Sequence, residues 1–170
     1  MCPMTGNDPF RGEASEIERD AETARLRSRS LADALVDLGA RGDRVRIECG
    51  SNAVVGQVML AEKDVAIVDA AEREATVNLL GPVTIGLVEA AQQGGLPMRA
   101  GIGSFRARLL QFEMSGEPVV LVTDTASMPG AIGTVAADHV VIDRGTGESY
   151  VPLARIGYVT RATPPSRPPA

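Results

Sequence analysis

The sequence predicts a mainly β protein with short helices, built as two repeated units that each join one helix to a small five-stranded barrel. Three observations carry that prediction. Residues 30–69 match residues 104–143 at a constant spacing of 74 without a gap: Ser30 falls on Ser104, Leu35 on Leu109, Gly42 on Gly116, Gly56 on Gly130 and Asp64 on Asp138. A fixed period of this kind marks one supersecondary unit used twice. Within each unit the apolar spacing changes from helical to strictly alternating. Each unit also places a glycine, Gly56 or Gly130, inside its second strand, where a bend or a close backbone approach is expected.

The elements follow in order. Residues 1–14 contain Pro3, Gly6, Pro9 and Gly12, which interrupt any regular element, so this stretch is expected to be a disordered tail. Residues 15–29 read as a helical extension: Ser15 and Glu18 form a capping box, and Arg25, Arg27 and Arg29 follow the acids. This helix either continues to about residue 39 or breaks near Ser28–Ser30, where Ser30 would cap a new one.

The first unit, 30–89, opens with Leu31, Leu35 and Leu38 at helical spacing, stopped by Gly39 or Gly42. Strands are expected from Arg44, at Val54–Leu60, Val65–Val68, Ala75–Leu79 and Thr84–Glu89. Residues 90–103 are glycine-rich and read as a linker. The second unit, 104–161, has a Ser104-capped helix with Phe105, Leu109 and Phe112, ended by Gly116. Its strands are expected at Val119–Thr123, Ala131–Val135, Val140–Asp143, Tyr150–Leu153 and Arg155–Thr160. In the closing strands, Ile156-Gly157-Tyr158-Val159 answers Ile85-Gly86-Leu87-Val88 at a spacing of 71. Residues 162–170 are proline-rich and expected to be disordered. Two such units are expected to pack through equivalent surfaces, giving a pseudo-two-fold arrangement.

Composition limits the function classes. Aromatics make up 3% of the chain and Trp is absent, so the cores must be built from Val, Ile, Leu and Ala. The net charge is −5. Residues 31–90 hold ten acids against five bases, and residues 104–161 six against five. A nucleic-acid binder usually presents a basic face, because phosphate contacts dominate its affinity. The first unit lacks that footprint and the second is nearly neutral. Residues 1–16 lack the apolar region of a signal peptide, and no apolar run approaches the ~18 residues of a membrane span. With only Cys2 and Cys49 present, a reduced, cytoplasmic protein without membrane association is expected.

Gly42-Asp43-Arg44-Val45-Arg46-Ile47, Val55-Gly56-Gln57-Val58 and Asp64–Asp69 resemble the first half of an Sm-like (SH3-type) barrel. So do Pro118–Val122 and Ile132-Gly133-Thr134-Val135 with the strand that ends at Ile142. One Lys against sixteen Arg, with abundant Ala, Gly and Val, points to a GC-rich genome of actinobacterial type. The resemblance implies small tandem barrels. It does not carry over the RNA pocket of the Sm-like binders, which usually place an Asn shortly after the Asp. Asp64–Asp69 and Asp138–Asp143 contain none, and the closing segments lack the Arg-Gly or Lys-His elements.

Candidate chemical groups each have a simpler structural account. His139 is the only histidine, too few for a zinc set, and no nucleophile motif accompanies it. Cys49 has no Cys-x-x-Cys partner and reads as a small apolar filler. Gly94-Gly95 and Gly101-Ile102-Gly103 lack the remaining residues of a dinucleotide or P-loop fingerprint. Arg41-Gly42-Asp43 falls at a helix-to-strand turn, and Asp64/Asp69 and Asp138/Asp143 bracket strands from opposite ends. Arg106, Arg108, Arg144 and Arg155 are the candidates for contact with nucleic acid or another partner.

The sequence thus points to a non-catalytic interaction or regulatory module. No cofactor, metal or small-molecule substrate is indicated, and a protein partner or homo-oligomer is expected. The alternative is a regulator that binds RNA or DNA through the second, less acidic unit.

Overall fold

A computed structural model describes residues 10–71, 73–92, 94, 95, 101 and 103–162. Of the tails predicted at 1–14 and 162–170, residues 1–9 and 163–170 lie outside the described residues, whereas 10–14, expected to be irregular, open a helix. Helix α1, Phe10–Ser28, is a unit by itself. It begins upstream of the predicted start, so Ser15 lies within the helix and does not cap it. The Ser28 hydroxyl donates to the Arg25 carbonyl at 2.9 Å in its last turn. The chain breaks at Arg29–Ser30, and a separate helix α2 runs over Leu31–Arg41.

All ten predicted strands form: β1 Arg44–Cys49, β2 Asn52–Glu62, β3 Val65–Asp69, β4 Glu74–Asn78, β5 Thr84–Glu89, β6 Pro118–Thr123, β7 Ser127–Val135, β8 His139–Asp143, β9 Glu148–Pro152 and β10 Ile156–Arg161. Helix α3, Phe105–Ser115, precedes the second five. Its predicted caps are in place. The Ser104 hydroxyl accepts the Ala107 amide at 3.1 Å. Gly116 adopts the left-handed conformation (φ 63°) that a residue with a Cβ avoids, and its amide donates to the Phe112 carbonyl.

The strands make one antiparallel sheet in the order β5-β1-β2-β3-β4-β10-β6-β7-β8-β9. Neither set of five closes on itself by hydrogen bonding. The first set is joined to the second because β10 pairs with β4, placing Tyr158 opposite Val77, Val159 opposite Thr76 and Thr160 opposite Ala75. This corrects the expected two-fold packing: the sets meet through different strands, the fourth of one and the fifth of the other.

A second correction concerns the closing strands. Ile85 lies opposite Ile47, and Val159 lies opposite Leu121, so the ladders correspond at a spacing of 74, not 71. The Ile-Gly-x-Val echo misleads because each strand carries one extra residue at a different place. Val88 bulges near the end of β5 and Gly157 near the start of β10.

Two apolar clusters form the core, and each draws on both halves of the sheet. One gathers Phe105, Leu109 and Phe112 of α3 over Leu60, Val65 and Ile67 of β2 and β3, together with Leu121 and Val159. The other centres on Leu35 of α2 with Val45, Ile47, Val68 and Val77, and takes in Val122 and Tyr158. Polar links fasten the same seam. The Asn78 amide donates to the Leu153 and Ile156 carbonyls, each at 3.0 Å. Asp64 accepts the Phe105 amide at 3.0 Å, and Arg108 pairs with Glu74 at 2.7 Å.

Gly56 and Gly130 are required by close approach. A Cβ on Gly56 would press into the Asp69 carbonyl, and one on Gly130 into the Asp143 carbonyl, far inside van der Waals contact. Backbone cannot swing aside as a side-chain tip can, so Gly56→Ala or Gly130→Ala is expected to cost about 1–3 kcal/mol in denaturant unfolding. Leu35 and Leu109 are fully buried. Leu35→Asp or Leu109→Asp is expected to cost more than about 3 kcal/mol, the order of a lost core leucine plus an unpaired buried charge. Because the clusters are shared across β4 and β10, calorimetry of the wild-type sheet should give one transition; two separate transitions would contradict the shared core.

Candidate interaction surface

Among the described residues, the sheet ends in two strands with no neighbour on their outer edges, β5 and β9. Strand β5 exposes five of its six residues, among them Leu87 at 56% and Val88 at 54%. On β9, Tyr150 is 67% exposed, its hydroxyl 3.4 Å from the Glu148 carboxylate. A row of free N–H and C=O groups is a template for pairing with another strand, and natural edges are commonly blunted with charge, proline or bulges. Here Thr84–Leu87 is regular and uncharged. Its blunting comes only afterwards, at the Val88 bulge and Glu89.

Asp43 fixes one end of β5. Its carboxylate accepts the Ala91 amide at 2.9 Å, just past the strand, and pairs with Arg41 at 2.8 Å. The Ala91 bond and then the Arg41 guanidinium outweigh the cost of burial and hold the Asp43 carboxyl below its ordinary range. The Arg-Gly-Asp tripeptide is therefore used within the turn between α2 and β1.

Two of the four candidate arginines, Arg106 and Arg108, share α3, while Arg144 and Arg155 lie elsewhere, and most are engaged. Arg106 donates to the Ala136 carbonyl at 3.1 Å. Arg108 pairs with Glu74, bonds Gln111 at 2.7 Å and lies over the Phe112 ring at 4.8 Å. Arg155 pairs with Asp124 at 2.9 Å. Arg144 sits exposed in the turn after β8. What sequence reasoning missed is the edge pair. Leu87 and Tyr150 read as ordinary strand residues until the order of strands is known.

The remaining chemical candidates are accounted for structurally. His139 Nδ1 lies 2.7 Å from Asp138, with the Tyr150 ring 5.9 Å away, on the β8–β9 hairpin. Burial, and then the Asp124 charge, push the Cys49 thiol up, which disfavours the thiolate a nucleophile needs. Gly95 donates its amide to the Ala40 carbonyl at 3.1 Å, holding the start of the 90–103 segment against α2. Asp64 and Asp69 stand at opposite ends of β3. Among the described residues, no group of three or more His, Cys, Asp or Glu converges, and no helix is long and apolar enough to cross a membrane.

An open recess of about 530 Å³ is lined by residues of β2, β6, β7 and β10 and the turn after β3, its polar members being Asn52, Arg73, Ser127, Tyr158 and Thr160 among a majority of Ala and Val. Burial raises the Tyr158 phenol, so it stays protonated. Its polar members are one guanidinium, one neutral phenol, one amide and two hydroxyls, which do not make an acid–base pair.

No family model matches the chain, and a search of curated proteins finds no match.

The folded-state acidity of Asp43 has a checkable consequence. A depressed carboxyl stabilises the fold above the unfolded value of about 3.9, and that contribution is lost as pH falls through the folded value. Asp43→Asn should therefore destabilise the protein at pH 7 but flatten the fall in stability below about pH 4. Urea midpoints for both proteins between pH 7 and pH 3 test this; parallel profiles would count against it.

Proposed function

We propose that the chain is a non-catalytic cytoplasmic interaction module, a tandem of two small Sm-like or SH3-type units that receives partners at its free sheet edges. The observation that carries this reading is the exposed apolar edge of β5, with Leu87 and Val88, facing outward on a strand that has room for one more neighbour. Support for the tandem comes from the two strand sets, which follow the same internal order and correspond residue by residue at the spacing of 74. Partners that bind by strand addition take affinity from main-chain hydrogen bonds and specificity from alternate side chains, here Thr84 and Gly86 against Ile85 and Leu87.

The alternative, a nucleic-acid regulator, has less to draw on. Arg108 and Arg155 are held in ion pairs, and Arg106 is turned onto a carbonyl. Each would have to leave its partner before meeting a phosphate.

A photo-crosslinking residue at position 87, with position 117 as a surface control, tests the reading in cells. Adducts are expected at 87, absent at 117, and lost when Val88→Lys is added. No protein adduct at 87, together with salt-sensitive RNA or duplex-DNA binding below about 10 μM by anisotropy, would move the assignment to the alternative.

A further inference from the structure

We propose that the open recess beside the start of β2 binds a small organic acid, one carboxylate carried on an apolar body. The site lies on a face of the sheet and not at its edges, so it stands apart from the reading of β5.

The recess exists because β2 outruns its neighbour. Strand β2 covers Asn52–Glu62, but its ladder with β3 begins only at Gln57, opposite Asp69. Over 52–56 the β2 backbone pairs with β1 alone. On the open side the chain turns away through 70–73, where the Ala70 amide donates to the Arg73 carbonyl at 3.0 Å. The far wall is set by register. Tyr158 lies opposite Val122, Thr160 opposite Val120, and Val122 also opposite Ser127, so these side chains share one face of β10, β6 and β7.

Two polar groups on that wall are buried and idle. Tyr158 is 5% exposed and Thr160 4%. Neither hydroxyl has a hydrogen-bond partner among the described residues, although a buried tyrosine usually finds one. Nor are they sealed in, since Arg108 Nε is the only fully enclosed side-chain atom left without a partner among those residues. Both hydroxyls therefore open onto the recess they line. At its rim the Arg73 guanidinium makes no ion pair or hydrogen bond among the described residues, unlike those of Arg41, Arg108 and Arg155. Burial and then Cys49 raise the Tyr158 phenol and Arg73 pulls the other way, so the guanidinium acts on a phenol that remains a donor.

The ligand chemistry follows from the lining. No Asp or Glu is among the described residues that line the recess, which leaves Arg73 as its charge and favours an anion. A guanidinium fork matches the two oxygens of a carboxylate, and the phenol can donate to one of them. One cation offsets one negative charge; a phosphate monoester, at about −1.5 to −2, would stay under-neutralised. Val55, Val120 and Val122 offer apolar surface to the remainder of the molecule. The volume of about 530 Å³ falls within the roughly 300–1,000 Å³ of small-molecule sites.

Octanoate and phenylacetate are the probes, titrated against the full chain by calorimetry and amide NMR, with octylamine and phenethylamine as matched cations. At least one acid should bind with a Kd below about 1 mM, and its matched amine at least about tenfold more weakly. Amide shifts should centre on Arg73, Val120, Tyr158 and Thr160. Arg73→Gln should weaken binding of that acid by at least about tenfold and Tyr158→Phe by about fivefold, the order of a lost charge-assisted bond and a lost phenol bond. Because neither side chain bonds to the protein, both variants should keep the wild-type thermal midpoint in the absence of acid. Added acid should raise the midpoint of the wild type more than that of Arg73→Gln.

No saturable binding of either acid up to about 10 mM, or an amine that binds as well as its acid, overturns the proposal. So does an affinity that Arg73→Gln leaves unchanged, or shifts confined to another part of the sheet. Displacement of the acid by a lower concentration of inorganic phosphate would likewise overturn it, since the site would then be built for a multiply charged anion.

Discussion

The three residue pairs between β4 and β10 are the constraint on which the rest of the molecule depends. They join strands about eighty positions apart in sequence and turn two sets of five into one sheet. Both apolar clusters then lie across that line, and α3 packs on β4 of the first set as well as on its own β7. Small units with few aromatics bury modest cores, and sharing the cores between sets is the physical remedy available to them. The polar fastenings at the seam matter for the same reason. Asn78 donates to the Leu153 carbonyl just after β9 and to the buried Ile156 carbonyl at the start of β10, tying both to the first set.

The charged groups follow from this architecture more than from any reaction. Arg108 is largely buried at the seam, where its guanidinium joins Glu74 to the face of Phe112. Asp64 and Asp43 each accept a backbone amide from a distant segment, fixing where α3 begins and where β5 ends. Cys49 and Tyr158 are held in their neutral forms by burial. Asp43 and Asp64 are thereby occupied in positioning backbone.

Local structure was legible in the sequence because it depends on local signals. Ser104 and Gly116 announced both ends of α3, Val45 and Ile47 announced an alternating strand, and the paired glycines announced the pressed backbone of β2 and β7. What was not legible depends on non-local pairing. The spacing of 71 in the closing strands followed an apparent motif, whereas the ladders follow hydrogen-bond register, and a bulge shifts one without marking the other. The join through unlike strands was hidden for a related reason: nothing in Val77 or Tyr158 says which neighbour it will meet. Exposed Leu87 and Tyr150 likewise acquire meaning only once their strands are known to be outermost.

The position of β10 at the far end of the sequence also sets an order of events during synthesis. Strands β1–β5 emerge first, and the outer side of β4 then waits for a partner that is made last. At 5–20 residues per second, the roughly eighty intervening residues correspond to a delay of about 4–16 s. Throughout that interval the nascent chain presents Ala75–Val77 as an open template beside the half-built cluster around Ile67. Ribosome-bound chains of one message lie close together, and their waiting strands are alike. Pairing β4 with so distant a strand thus confers on the finished protein a shared core and on the unfinished one a period of vulnerability to mispairing.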